Sequence, residues 1–253
     1  MKIQYVSDLH LEFTENTNYI KKNPIKPTGD ILILAGDITL FKKQRNSDWF
    51  FDYCSENWKQ TYWIPGNHEF YYSEMGYATH YIRKNVRDNV MLVQSAVELI
   101  DNVALIFSTL WTNVDEENIE DIQNGMGDYR VIKYYDSGNL EVSDTNYLHW
   151  RDKLFIEESL ETYKGFTKVV VTHHKPTFQN NNPIYEGNRL SQAFSVDLDD
   201  LIIKSKPDYW IYGHNHYNAQ DFKIGDTVLL TNQLGYVKHC EHLDFNSNKF
   251  IEI

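Results

Sequence analysis

The chain has 253 residues, of which 42% are hydrophobic and 15% aromatic, and a formal charge of −12. Without any low-complexity tract, that composition excludes a disordered chain and suits one α/β domain over residues 1–253 with a substantial buried core. The acidic balance argues against a surface that tracks a nucleic-acid polymer, which needs a basic stripe.

In chain order, residues 3–6 read as a short apolar strand that runs into Ser7-Asp8-Leu9-His10. Residues 31–35 form a second apolar run ending in Gly36-Asp37-Ile38-Thr39, and a helix is expected over 47–58 with Ser47 as its N-cap. A third strand, 61–64, runs into Pro65-Gly66-Asn67-His68-Glu69, followed by a helix expected over 73–87 behind Ser73. Residues 103–108 read as a further strand. The segment 112–142, rich in Asp, Glu, Asn and Gly, reads as an insertion or long loop near the site, most turn-like at Asn124-Gly125-Met126-Gly127-Asp128-Tyr129. An amphipathic helix is expected over 143–163, with Leu148, Leu154, Phe155, Ile156 and Leu160 on its apolar face. The strand 169–171 runs into Thr172-His173-His174-Lys175-Pro176, and 209–212 into Gly213-His214-Asn215-His216. The tail from Asp226 reads as late β-structure.

Five strands thus end in Asp, Asn or His, and carboxyl ends of strands are where α/β sheets gather ligand-binding side chains. Taken singly, Asp8-Leu9-His10 or Gly36-Asp37 is an ordinary turn. All five clusters together point to one metal-binding site. His214 and His216 are two apart, so in an extended chain both imidazoles leave the strand end on the same side.

The set Asp8-Leu9-His10, Gly36-Asp37, Gly66-Asn67-His68-Glu69, His173-His174 and Gly213-His214-Asn215-His216 resembles the motif set of the calcineurin-like metallophosphoesterases, from residue 8 to residue 216. More narrowly, Ser7–Phe13, Gly66–Tyr72 and Ile211–Tyr217 look like a bacterial branch of that superfamily whose substrate is unassigned. The resemblance implies a four-layer α/β/β/α sandwich with two mixed β-sheets and a binuclear metal site at the strand ends. It gives Asp37 the bridging role. One ion is then held by Asp8, His10 and His216 with Asp37, the other by Asn67, His173 and His214 with Asp37; the family pattern takes the first histidine of the pair 173–174. His68 becomes the candidate general acid, because an imidazole titrating near neutrality can protonate a departing alkoxide. Glu69 reads as a helix-start or orienting carboxylate.

Two divalent ions about 3.5–4 Å apart can clamp a phosphate and activate a water, which explains why the site needs these residue types. Nitrogen and oxygen donors without thiolate suit Mn²⁺, Fe, Zn²⁺ or Co²⁺ better than Ca²⁺. The expected function is metal-dependent hydrolysis of a small phosphomonoester or phosphodiester. A catalytically idle metal-binding scaffold is the alternative. A serine/threonine protein phosphatase is disfavoured, because Gly36-Asp37-Ile38-Thr39 and Pro65-Gly66-Asn67-His68 lack that group's second aspartate and its arginines. Trp111 and Asn113, Arg130, Tyr185 and Arg189 are candidate substrate contacts. Cys54 and Cys240 make no disulfide framework, no run approaches a membrane span, and no apolar leader opens the chain, so a cytoplasmic protein is expected. Its oligomeric state is not legible.

Overall fold

Two-residue alternation within short, wholly apolar strands sets the layering of the molecule. The computed structural model describes residues 1–76, 79–135, 138–185 and 187–253, with residue 185 described by its backbone alone. Its early strands are β1 (Lys2–Val6), β2 (Ile31–Ala35), β3 (Gln60–Ile64), β4 (Glu74–Met75), β5 (Ile82–Arg87) and β6 (Val90–Gln94). Later come β7 (Ala96–Ile100), β8 (Val103–Ser108), β9 (Lys133–Tyr134), β10 (Thr167–Thr172), β11 (Tyr209–Tyr212), β12 (Phe222–Ile224), β13 (Thr227–Thr231) and β14 (Phe250–Glu252). The helices are α1 (Thr14–Lys22), α2 (Asp48–Asn57), α3 (Ile119–Gly125), α4 (Asp128–Val131), α5 (Val142–Thr162) and α6 (Asp199–Ser205).

One sheet has the order β14-β1-β2-β3-β6-β5 and the other β12-β13-β11-β10-β8-β7. The inner strands of both are parallel and the outermost pairs antiparallel, so both sheets are mixed. Ile31, Ile33 and Ala35 of β2 meet Leu105, Phe107, Val169, Val171 and Ile211 of the other sheet in a core between the two. The opposite face of β2, Leu32 and Leu34, is covered by Phe50, Phe51 and Cys54 of α2. On the far side, Ile106, Val170 and Trp210 meet Ile156 and Leu160 of α5 and Ile202 of α6. This is the four-layer sandwich the resemblance implied.

Three local expectations are corrected. The helix expected over 73–87 spans residues 77 and 78, which lie outside the described residues; of its described residues, 74–75 form β4 and 82–87 the edge strand β5, paired antiparallel to β6. Ser47 stands at the N-cap position of α2 as expected, but its side chain makes no capping bond: its Oγ bonds Thr39 Oγ1 at 3.0 Å, and a 3-10 turn, Phe41–Ser47, leads into the helix. The segment 112–142 is not plain loop, because α3, α4 and β9 fold within it over a satellite core of Trp111, Val114, Ile122, Tyr129 and Ile132. Helix α5 begins with a reciprocal cap in which Glu141 and Asp144 each bond the other's backbone N–H. Cys54 and Cys240 are free thiols. Among the described residues no helix is long and apolar enough to cross a membrane.

Candidate metal centre

Parallel pairing brings the carboxyl ends of β1, β2 and β3 to one edge, and those of β8, β10, β11 and β13 to the same end of the facing sheet. Backbone bonds then tie the exit loops together. Ser7 bridges to Gln233, the Asp8 N–H donates to Gly36 O at 3.0 Å, the His10 N–H to Asp37 O at 2.9 Å, and the Gly213 N–H to His173 O at 2.9 Å. Asp8, His10, Asp37, His214 and His216 all adopt left-handed backbone, with φ of 56°, 46°, 55°, 75° and 48°. Non-glycine residues hold such angles only where the surroundings enforce them, and they concentrate at functional sites. A Cβ at Gly66 would lie 2.2 Å from Asp37 Oδ1 and 2.6 Å from His173 Nε2, so only glycine lets the backbone pass this close.

The side chains converge in two groups that share Asp37. In the first, His10 Nε2 lies 3.0 Å from His216 Nε2 and 3.7 Å from Asp37 Oδ2, and His216 Nε2 lies 3.4 Å from Asp8 Oδ1. In the second, His173 Nε2 lies 3.4 Å from Asp37 Oδ1, 3.1 Å from Asn67 Oδ1 and 3.2 Å from His214 Nδ1. Atoms held roughly 2.1 Å from one ion are separated by about 3.0–3.4 Å at octahedral or tetrahedral angles. The two carboxylate oxygens of Asp37 face different groups. The extended geometry expected at 214–216 is replaced by left-handed turns, which send His214 to one group and His216 to the other.

Outer partners fix which nitrogen of each ring faces inward. His10 Nδ1 bonds Glu12 Oε1 at 3.2 Å, His216 Nδ1 bonds Glu241 Oε2 at 2.7 Å, His173 Nδ1 bonds Ala35 O at 2.9 Å, and His214 Nε2 bonds Ala193 O at 3.2 Å. Each partner is an acceptor, so each ring donates outward and turns its other nitrogen toward the group, where it can ligate a cation once deprotonated. Burial opposes charging His173 and His216, but the Asp8, Asp37 and Glu241 carboxylates raise their pKa values, to about 9 and about 10, so these buried acidic groups draw positive charge, whether a proton or a metal ion. Among the described residues, no lysine or arginine hydrogen-bonds or ion-pairs with Asp8, Glu12, Asp37 or Glu241. This hard, mixed nitrogen and oxygen donor set can hold divalent cations. His174 stands behind the group, its Nδ1 3.3 Å from Thr109 O; burial and the neighbouring His173 push its pKa down, to about 3.

His68 lies at the rim of both groups. Its N–H donates to Asp37 Oδ1 at 2.9 Å, its Nδ1 bonds Glu12 Oε1 at 2.9 Å, and its ring stacks on Tyr71 at 4.1 Å. Burial opposes charging this imidazole, but the Asp37 and Glu12 carboxylates outweigh it and the pKa is raised. Glu12 and Asp128 were not legible as site residues. Asp128 Oδ1 accepts from Asn67 Nδ2 and from the Tyr71 hydroxyl, both at 2.7 Å, which leaves Asn67 Oδ1 facing His173. Glu69 gathers the N–H groups of Asp37, Ile38 and Gly66 at 2.9, 2.8 and 2.7 Å, fixing the loop that carries Asp37.

Four of the five expected substrate contacts lie outside the cavity lining. Trp111 is buried in the satellite core beside Phe70 and His174. Asn113 is exposed and away from the cavity lining, Arg130 bonds Asn124 O, and Arg189 forms an exposed ion pair with Asp121 at 2.9 Å. Local chemistry accounts for three of these: an indole buries, and the two arginines find neighbouring acceptors. Tyr185 closes a 3-10 turn, Pro183–Tyr185, and its side chain lies outside the described residues. The cavity beside the two groups is lined instead by Asn181, Asn182, Asn188, Leu190, Phe194 and Tyr236, among others.

The sequence profile of the calcineurin-like phosphoesterases matches residues 1–218. An uncharacterized protein, L509, of Acanthamoeba polyphaga mimivirus is 31% identical over 283 aligned residues, spanning 99% of this chain and 96% of that protein. Among solved structures, phosphopantetheinyl hydrolase from Mycobacterium tuberculosis superposes with a TM-score of 0.68 over 99% of this chain and 95% of that one. At 14% identity, that likeness speaks for the fold alone.

Proposed function

The chain belongs to the calcineurin-like phosphoesterase family and is a phosphoric ester hydrolase; on that premise we propose that it cleaves a small phosphomonoester or phosphodiester at a binuclear centre. Asp8, His10 and His216 would hold one ion, Asn67, His173 and His214 the other, and Asp37 both. The observation that carries this reading is the pair of inward-facing donor groups, each taking one oxygen of Asp37, with His68 at their rim. Two bound divalent ions, Mn²⁺, Fe, Zn²⁺ or Co²⁺, would neutralise the phosphoryl oxygens and lower the pKa of the attacking water.

The protein's own groups do the rest. Asn67 offers a neutral carbonyl oxygen, which leaves its side of the centre more electrophilic than a carboxylate would. His68, whose pKa the Asp37 and Glu12 carboxylates raise against the opposing effect of burial, would donate its proton to the leaving oxygen, the step that esters of poor leaving groups require. Free thiols and an acidic surface support a single-domain cytoplasmic enzyme. The test is the initial rate on bis-p-nitrophenyl phosphate beside p-nitrophenyl phosphate, in metal-free buffer and then with Mn²⁺. Metal-dependent release of nitrophenol from either supports the reading, and the faster of the two sets diester or monoester preference. No release with any of the four metals overturns it.

A further inference from the structure

The candidate centre opens into a cavity of about 590 Å³, within the range of small-molecule sites and larger than a phosphoryl group needs. Asn181, Asn182 and Asn188, on the loop after β10, line it with Met126, Leu190 and Phe194. The orientation of each asparagine amide is dictated by its surroundings. The ammonium of Lys175 donates to Asn181 Oδ1 at 2.6 Å, the Ile184 N–H to Asn182 Oδ1 at 3.1 Å, and the Leu190 N–H to Asn188 Oδ1 at 2.8 Å. Ammonium and backbone N–H groups only donate, so the atom facing them must be the carbonyl oxygen. Each side chain is left with its NH₂, and among the described residues none of the three Nδ2 atoms has a protein acceptor.

Charge decides what these donors suit. The carboxylates of Asp37 and Glu241 line the same cavity, and among the described residues no lysine or arginine does. Beyond the metal centre itself, a second anionic group on the substrate would find no lysine or arginine lining the cavity among the described residues, and the Glu241 carboxylate stands close by. A neutral carbonyl takes hydrogen bonds from NH₂ groups without that cost, and an alkyl chain beside it can rest on Met126, Leu190 and Phe194.

Building on the phosphoester hydrolase reading, we propose that this cavity is a specificity pocket for the alcohol portion of the substrate, selecting an uncharged group with an amide-type carbonyl on a short aliphatic chain. The probes are the phosphate monoester of N-acetylethanolamine and ethyl phosphate, which share the reacting group and differ only in the carbonyl-bearing arm. Phosphate release by the Mn²⁺-loaded protein should favour the acetamido ester about tenfold or more in kcat/KM. Asn182→Asp and Asn188→Asp each keep an oxygen for the Ile184 or Leu190 N–H, so the loop remains held, while the NH₂ donor is lost. In both, the preference should fall below about threefold. Equal kcat/KM for the two esters in the unsubstituted protein overturns the proposal, as does a preference that survives both substitutions. If neither ester releases phosphate, the dissociation constants of the same compounds by calorimetry carry the same comparison: a tenfold difference abolished by the substitutions supports the pocket, and equal constants overturn it.

Discussion

Glu12 serves two histidines with one oxygen. Its Oε1 accepts from His10 Nδ1 and His68 Nδ1, its Oε2 is buried without a partner among the described residues, and against the opposing effect of burial the two bonds hold its carboxyl down, to about 2. Glu12→Gln keeps an acceptor but removes a charge that raises the His68 pKa. Compared at equal metal loading, turnover of phosphate esters with poor leaving groups should then fall about ten- to a hundredfold. His68→Ala should give the same steeper dependence on leaving-group pKa across substituted phenyl phosphates; a uniform loss across that series would remove His68 from proton donation. Asp37→Asn, which weakens the link to both groups, should abolish activity and lower the metal content read by elemental analysis. The residues brought together at Asp37 were legible because each sits in a short motif at a strand end. Glu12 and Asp128 were not, since their partners His68 and Asn67 lie 56 and 61 residues away and only the folded chain brings them together.

Elements buried on both faces announce themselves; edges do not. β2, β8 and β10 were read correctly because their apolar runs leave no helical alternative so short. Among the described residues β5 pairs with β6 alone, and its exposed Arg83, Lys84 and Asn85 give it no two-residue apolar alternation to read. Helix α5 was legible from its apolar face, but the role of Asp152 on that helix was not. Asp152 accepts from the Trp111 N–H and from Gln94 Nε2, both at 3.2 Å, beneath the end of β8, and burial pushes its carboxyl up, to about 7. As pH rises, the unfolded chain releases this proton near pH 3.8 while the folded protein keeps it until about 7. Folding therefore binds the extra proton between these values, and stability falls with rising pH across that window before levelling off. Urea unfolding of the metal-free protein between pH 4.5 and 7.5 should show this slope, and Asp152→Asn should remove its share of it. Parallel curves for the two proteins would show that Asp152 is already ionised at the lower end of the window.

At the scale of the whole molecule, the centre is where the two sheets are joined beyond their shared apolar core. The Gly66–Asn67 loop and Asp37 come from one sheet and His173 from the other, and across the seam His173 Nε2 lies 3.1 Å from Asn67 Oδ1 and 3.4 Å from Asp37 Oδ1. In a chain with a formal charge of −12, removing bound cations leaves the buried carboxylates of Asp8 and Asp37 with only the protons on His173 and His216 to offset them. Ions that bind only the folded form stabilise it by about 2.7 kcal/mol per site at a hundredfold excess over the dissociation constant. For a domain of this size each kcal/mol moves the melting temperature by roughly 2–4 °C, so a chelator should lower the apparent Tm by about 5–10 °C per site. Excess Mn²⁺ should restore it. Asp37→Asn separates this effect from general salt stabilisation, because that variant should melt near the chelated temperature and respond little to either treatment. A chelator shift of equal size in both proteins would place the stabilising ion away from Asp37, and no shift in either would mean that the apolar core alone holds the two sheets together.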